Sequence, residues 1–323
     1  MSAIDVFNGD ADGICALTQL RNAEPADSLL VTGVKRDISL LERVEASAGD
    51  FVTVLDVSLD KNRDGLEKLL AAGATVFYAD HHYAGEIPES PLLETHIDTS
   101  PDVCTSLLVD RHLDGKFALW AVTGAFGDNL DASARTRAES LGISADEVEQ
   151  LRDLGTCINY NGYGASLDDL HFPPADLFDK VSQFASPLEF IAADTDTFGR
   201  LSSGYREDMA AVAALRPTRE SDHTAVFILP DERWARRVSG VYSNQLANGS
   251  PGRGHAVLTE RADSTYLVSV RAPLDNKVGA DELCRRFPTG GGRSGAAGIN
   301  ALPADQLDDF IEQFTAFYGT SAR

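Results

Sequence analysis

The sequence predicts a two-part α/β fold: a doubly wound parallel sheet, then a smaller α/β domain. Three observations predict it. Short apolar runs alternate with helical patterns through the first half, the signal of βαβ units. Acidic clusters close those runs, at the edge where open α/β sheets take their ligands. Apolar periodicity weakens and charge rises between Asp194 and Asp222, and strand and helix patterns resume beyond it.

Ile4 to Phe7, Leu29 to Val34, Phe51 to Leu55 and Thr75 to Ala79 read as strands, because each is a compact run of β-branched, aromatic or aliphatic residues. Gly13 to Asn22, Ser39 to Ala48 and Arg63 to Ala72 read as helices, the last stopped by Gly73. Beyond Pro101 the pattern turns helical: Val103 to Leu113, Ala118 to Phe126, and a charged stretch from Asp131 to Leu154. Asn159 to Gly164 reads as a polar, glycine-rich loop, and a further helix, Asp176 to Phe184, follows Pro173-Pro174. The expected domains are 1–193 and 223–323, joined by 194–222, which is helical from Tyr205 to Leu215. In the second domain the expected order is strand Thr224–Leu229, helix Trp234–Ala247, strands Ala256–Thr259 and Tyr266–Arg271, helix Ala280–Arg286, a glycine motif and helix Ala304–Phe317.

Composition bounds the partners. A chain of 323 residues is long enough for two cores. It is 43% hydrophobic and 24% charged, and no apolar stretch approaches the ~20 residues a membrane span needs. Met1 to Phe7 is too short and acidic for a signal peptide, so the expected location is cytoplasmic, with no membrane partner. Cys15, Cys104, Cys157 and Cys284 are scattered, without zinc-ligand spacing. A net charge of −22 argues against gripping long nucleic acid, which requires clustered Lys and Arg. It suits a short nucleotide substrate held by bound metals and a few local cations.

Four acidic clusters carry the chemistry. They are Asn8-Gly9-Asp10-Ala11-Asp12-Gly13, Asp56, Asp80-His81-His82 and Gly127-Asp128-Asn129. Carboxylates converging on one crevice repel one another unless cations sit between them. Oxygen ligands with an imidazole suit Mn²⁺, or Mg²⁺. In this order, together with Thr289-Gly290-Gly291-Gly292-Arg293-Ser294-Gly295-Ala296-Ala297-Gly298-Ile299, the clusters resemble the DHH phosphoesterases with their C-terminal DHH-associated domain. The resemblance spans nearly the whole chain. It departs from the family at Asn8, where His or Asp is usual, and at Arg293, where exonucleases and nanoRNases usually carry His.

The resemblance implies two divalent ions. Asn8 and Asp10 would complete one site, Asp12, His81 and Asp128 the other, and Asp56 would bridge them. Two ions ~3.5–4 Å apart can generate a nucleophile and clamp phosphoryl oxygens. His82 would act as a general acid or touch the scissile phosphate, and Asp80 would orient His81. Gly290, Gly291 and Gly292 let backbone N–H groups approach a phosphate, and the segment from Ser294 to Gly298 reads as the start of a helix whose positive end favours the same anion. Arg293 and Arg271 are candidate phosphate or base contacts. His255 starts a strand of the second domain, and Tyr160, Tyr163 and Phe172 read as packing residues.

The implied function is a Mn²⁺-dependent phosphodiesterase acting on very short linear nucleotides across a cleft between the domains. The first-choice substrate is a 5′-phosphorylated diribonucleotide such as pGpG, in the manner of the nanoRNase branch. The alternatives are a 3′-phosphoadenosine-phosphate phosphatase, a cyclic-dinucleotide phosphodiesterase, a single-strand exonuclease, and a nucleotide sensor with a metal site weakened by Asn8. A monomer or a homodimer is expected.

Overall fold

The computed structural model describes residues 2–319, so Met1 and residues 320–323 of the expected domains lie outside the described residues. The chain divides into two compact units, one ending at Tyr205 and the other beginning at Arg206.

In the first unit, β1 (Ala3–Phe7), β2 (Ser28–Val31), β3 (Phe51–Leu55), β4 (Thr75–Asp80) and β5 (Leu93–Ile97) form one sheet in the order β2-β1-β3-β4-β5. Every neighbouring pair is parallel. Strand order reverses direction between β1 and β3, which makes the carboxyl ends of those two strands a topological switch point. α1 (Ala11–Ala23) follows β1, and α2 (Leu59–Ala71) follows β3. One core gathers Phe7, Ile14, Leu17, Leu55, Phe77 and Trp120, with α1 packed in it. A second gathers Val6, Val54, Leu66, Val76 and Tyr78, with α2 packed in it. The central strands β1, β3 and β4 are buried on both faces, which is why they read as largely apolar runs.

Helices α3 (Thr105–His112), α4 (Ala118–Gly127), α5 (Asp131–Leu141), α6 (Ala145–Asn161), α7 (Pro174–Val181) and α8 (Pro187–Ala193) follow, and then α9 (Thr195–Ala213). The boundary between the units falls inside α9, so the helix expected from Tyr205 to Leu215 begins earlier, at Thr195, and ends at Ala213.

In the second unit, β6 (Arg219–Glu220), β7 (Thr224–Leu229), β8 (Gly254–Glu260), β9 (Thr265–Arg271), β10 (Gly290–Arg293) and β11 (Ala296–Pro303) form a mixed sheet in the order β10-β11-β9-β8-β7-β6. β7 and β8 pair in parallel, and the other pairs are antiparallel. α10 (Arg233–Gly249) packs through Ala235, Val238 and Tyr242 on Ala225, Phe227 and Val257. α11 (Ala280–Cys284) and α12 (Leu307–Tyr318) join the core formed by Val226, Ala256, Val268, Val270 and Ile299.

Four expectations are corrected. Ser39–Ala48 is not an α-helix, since only Leu40–Arg43 makes a 3₁₀ turn. The Asn62 amide accepts the Leu41 N–H and donates to the Ile38 carbonyl, capturing groups a helix would pair internally. Asp131–Leu154 is two helices. Gly142 ends α5 with φ +67°, and Ser144 and Glu147 form a capping box that starts α6. Asn159–Asn161, expected in a loop, is the last turn of α6. Ser294–Gly298 opens no helix, because Gly290–Arg293 and Ala296–Pro303 make an antiparallel hairpin. The glycine at 290 has a packing reason: a Cβ there would stand 1.8 Å from the Cys284 carbonyl oxygen at the end of α11.

Candidate metal centre and substrate surface

The ends of β1, β3 and β4 deliver their acidic clusters to one place. Asp10 caps α1, its Oδ1 accepting the N–H of Asp12 (3.0 Å) and of Gly13 (3.2 Å). Asp12 lies in the first turn of α1 and performs the same service for α3, accepting from Thr105 N and Ser106 N at 2.7 Å each. Asp56 sits immediately after β3 with φ +57°, a left-handed conformation that Asp adopts more readily than most residues. Its Oδ1 accepts the Thr105 hydroxyl at 3.3 Å. Asp128 follows α4 as its C-cap.

His81 and His82 divide the work. His81 Nδ1 lies 3.0 Å from the Val103 carbonyl oxygen, so it carries the proton and Nε2 presents a lone pair. That Nε2 is 3.4 Å from Asp56 Oδ1 and 3.7 Å from Asp128 Oδ2. Donor atoms of Asp12, His81 and Asp128 all lie within 4.8 Å of one another, and so do those of Asp56, His81 and His82. Asp80 does not orient His81, as the resemblance implied. It holds His82, Oδ1 to Nδ1, at 2.7 Å.

The electrostatics of the cluster follow from burial and crowding. Burial, then repulsion from Asp10, Asp12, Asp80 and Asp128, drives the Asp56 carboxyl well above the usual carboxylate range. Burial and repulsion from Asp12 and Asp10 raise Asp128 to about 7. Burial raises Asp10 as well, but the charge and hydrogen bond of Lys35, together with the Gly13 N–H, outweigh it and hold that carboxyl below its ordinary value. The hydrogen bond from Asp80 raises His82 above the ordinary imidazole value.

Lys35 was not among the sequence candidates. Its Nζ lies 2.5 Å from Asp10 Oδ2, 2.8 Å from Asn159 Oδ1 and 3.9 Å from Asp128 Oδ1. It lies 5.8 Å from the centre of the Tyr163 ring. Nothing in Val34-Lys35-Arg36 marks it, because its position depends on the loop after β2 packing against the first motif. Asn8 is buried, donates through Nδ2 to the Lys35 carbonyl at 3.4 Å, and leaves Oδ1 without a partner among the described residues. Asn8, Asp10, Lys35, Asp56, His81, His82 and Asp128 line a pocket of about 490 Å³.

A divalent cation fits the Asp12, Asp56, His81 and Asp128 side of this cluster. The donors are hard oxygens with one imidazole, their orientations are fixed by Thr105, Ser106 and Val103, and their mutual repulsion calls for a cation.

In the second unit the register aligns Arg293 with Ala296, Ala296 with Arg271, and Arg271 with His255. Directly paired residues share a face of the sheet, so both arginines project from the face that carries α10. Arg271 Nε bonds Asn244 Oδ1 of α10 at 2.8 Å, and its Nη1 bonds Ser269 at 2.9 Å. Arg293 is exposed on the edge strand, and a Cβ at Gly291 would meet nothing within 4 Å. Ser294 lies in the turn joining β10 to β11. The platform is therefore a flat strip of small residues bordered by arginines, not a glycine cradle at a helix end. His255 is buried beneath the row, and Tyr160 and Phe172 are core residues.

No protein-family model and no curated protein matches this sequence. Solved structures do match. The exonuclease RecJ bound to manganese aligns with a TM-score of 0.64 at 19% identity, over 98% of this chain and 90% of that one. The DHH domain of PF0399, described as a member of a family of ribosomal proteins, aligns with a TM-score of 0.63 at 12% identity, over 98% and 86%. The pGpG-specific phosphodiesterase PggH from Vibrio cholerae aligns with a TM-score of 0.61 at 15% identity, over the full length of both chains. The chain has the fold of the DHH-domain proteins, an α/β architecture with a parallel five-stranded sheet and a second, mixed sheet.

Proposed function

We propose that this chain is a divalent-metal-dependent phosphodiesterase that hydrolyses very short linear nucleotides, with 5′-phosphorylated diribonucleotides such as pGpG as the first-choice substrate. The observation that carries the reading is the meeting of Asp12, Asp56, His81 and Asp128 beside a hydrogen-bonded Asp80–His82 pair. Mn²⁺ is the ion of first choice because one ligand is an imidazole, and the RecJ structure is described as bound to manganese.

A bound divalent ion supplies charge stabilisation at the phosphoryl oxygens and a nucleophile from water at neutral pH. Thr105 and Ser106 hold Asp12, and Val103 holds His81, so ligand geometry is fixed before substrate arrives. In the reaction the water oxygen joins phosphorus and the bond from phosphorus to the 3′-oxygen breaks. A carboxylate of the cluster takes the water's proton. His82, oriented through Nδ1 by Asp80, whose hydrogen bond favours the protonated ring, gives a proton from Nε2 to the leaving oxygen. Two mononucleotides result.

Two further points support a short substrate. PggH, described as pGpG-specific, matches this chain over its whole length. The net charge of −22 leaves little cationic surface for a long strand. The likeness to RecJ favours single-strand exonuclease activity as the second reading. The test is a Mn²⁺ assay on pGpG, pApA, longer oligoribonucleotides, cyclic dinucleotides, 3′-phosphoadenosine phosphate and single-stranded DNA. The expected result is a steep fall in rate beyond two nucleotides. Equal or faster turnover of a long single strand would favour the exonuclease, and no turnover of any member would leave a sensor.

A further inference from the structure

We infer that Lys35 is the second cation of this centre, so that the site takes one divalent ion rather than two. The inference rests on the metal-dependent reading above and departs from the pair of ions the sequence resemblance implied. In that scheme Asn8 and Asp10 complete one of the two sites, with Asp56 as the bridge.

The structure pairs Asp10 with a cation and leaves Asn8 only an uncharged oxygen to offer. Asp10 Oδ1 accepts the N–H groups of Asp12 and Gly13, much as the Asp12 oxygens accept those of Thr105 and Ser106, but Asp10 also holds a hydrogen-bonded cation, the Lys35 ammonium at 2.5 Å from Oδ2. Asn8 is a neutral amide, so it offers one oxygen and no charge. Its Nδ2 is turned to the Lys35 carbonyl. The loop is held down at three further points. Lys35 N donates to the Gly162 carbonyl at 2.8 Å, Lys35 Nζ donates to Asn159 at 2.8 Å, and the Gly33 carbonyl presses on Gly9 where a Cβ would stand 2.0 Å away. Position 8 thus supplies no anionic ligand, and a fixed positive charge stands beside the Asp10 carboxylate.

The other half of the centre keeps the donors an ion needs. Asp12, His81 and Asp128 lie within 4.8 Å of one another, and Asp128 is 3.9 Å from Lys35. An ammonium has three N–H donors. Two go to Asp10 and Asn159, and the third is left for a phosphoryl oxygen in the pocket that Lys35 lines. A metal ion on one side and this ammonium on the other would clamp the phosphate between them.

The experiment counts Mn²⁺ on the full-length chain by equilibrium dialysis with elemental analysis, and reads its electronic state by low-temperature electron paramagnetic resonance. The expected wild-type result is one tightly held Mn²⁺ per chain with a mononuclear six-line spectrum. The Lys35→Met/Asn8→Asp variant should hold two, with an exchange-coupled spectrum. Lys35→Gln/Asn8→Asp gives the same count by a second route, and circular dichroism checks that each variant folds. Two coupled Mn²⁺ ions on the wild-type chain would overturn the inference and leave the phosphodiesterase reading standing. A folded double variant that still holds only one would overturn it as well. A wild-type chain that binds no Mn²⁺ would remove both.

Discussion

The two units treat the polar groups of their candidate sites in opposite ways. In the first, Asp10, Asp12, Asp56 and Asp80 are at most 2% exposed. All four are hydrogen-bonded, to N–H groups, Lys35, Thr105 or His82. In the second, Arg293 is exposed, and the strip beside it is built of glycine and alanine. Buried and crowded carboxylates are fixed in place at a cost in stability, which the raised Asp56 and Asp128 carboxyls record. An arginine on the edge strand, Arg293, keeps its hydration and its freedom. The first arrangement suits bond making, which needs charge held in a set geometry. The second suits the holding of a terminal phosphate, where a flexible fork adapts to its ligand.

The largest expected effect lies at Asp56. Asp56→Asn keeps a residue that tolerates φ +57° and removes the charge. Turnover should fall by roughly 10²–10³-fold or more, the scale for losing a group that stabilises transition-state charge, and bound Mn²⁺ should be lost in the same preparation. The metal-free variant should melt no lower than wild type, because the substitution relieves repulsion. Near-normal turnover with retained metal would remove Asp56 from the centre.

The next effect separates positioning from chemistry. His82→Ala should cost roughly 10²–10⁴-fold in kcat if His82 is the general acid. Asp80→Asn should cost less, about 10–100-fold, and should lower the alkaline limb of the kcat–pH profile, because Asp80 is what raises His82. A substrate with a good leaving group, such as a nitrophenyl ester, should be almost insensitive to both changes. Equal losses on both substrates would make the pair structural.

Arg293 tests the other side of the comparison. A hydrogen bond to a charged group is worth about 1.5–3 kcal/mol, so Arg293→Ala should lower kcat/KM by roughly ten- to a hundredfold or somewhat more for a 5′-phosphorylated dinucleotide. A dinucleotide without that phosphate should react slowly already and notice the substitution little. Arg293→Lys should restore only part of the loss, since an ammonium lacks the fork. Equal losses on the two substrates would assign Arg293 to the stability of the hairpin.

How far these features can be read in the sequence depends on what sets them. β1, β3 and β4 are continuous apolar runs with an acidic cluster at each end, so strand and ligand position are visible together. β5 carries Glu94 and His96 on a half-exposed edge and shows no such run. Lys35 is invisible because its role comes from a loop packing between Gly9 and Gly162, not from its neighbours in sequence. The hairpin at 290–303 misleads because glycine and alanine carry neither helical nor strand periodicity. The alignment of Arg293 with Arg271 is a matter of register across three strands, which only the folded sheet reveals.

The smallest expected effect is also the most direct contrast between the units, and it is read without metal or substrate. Asp128 has its carboxyl raised to about 7 in the folded chain, above the ordinary value, so the fold favours its protonated form. Acidification from pH 7.5 to 5 should therefore stabilise the first unit, and the gain should be lost again as pH rises through about 7. His255 is the reverse. It is 2% exposed, its Nδ1 has no partner among the described residues, and burial with the nearby Arg253 charge lowers it to about 4. An unfolded histidine takes up its proton near pH 6.5, so the unfolded second unit binds a proton that the folded one refuses between about 6.5 and 4. Stability there is complete above the unfolded value and declines as pH falls through that window. The expected size is a few degrees of melting temperature in each direction. Amide exchange followed separately in each unit at pH 7.5 and 5, with intrinsic rates corrected for pH, measures both trends in one sample. Asp128→Asn should reduce the response of the first unit alone, Asp56 and His82 carrying the remainder, and His255→Leu that of the second alone. A parallel response of the two units in wild type, unchanged by either substitution, would mean that these two groups do not govern it.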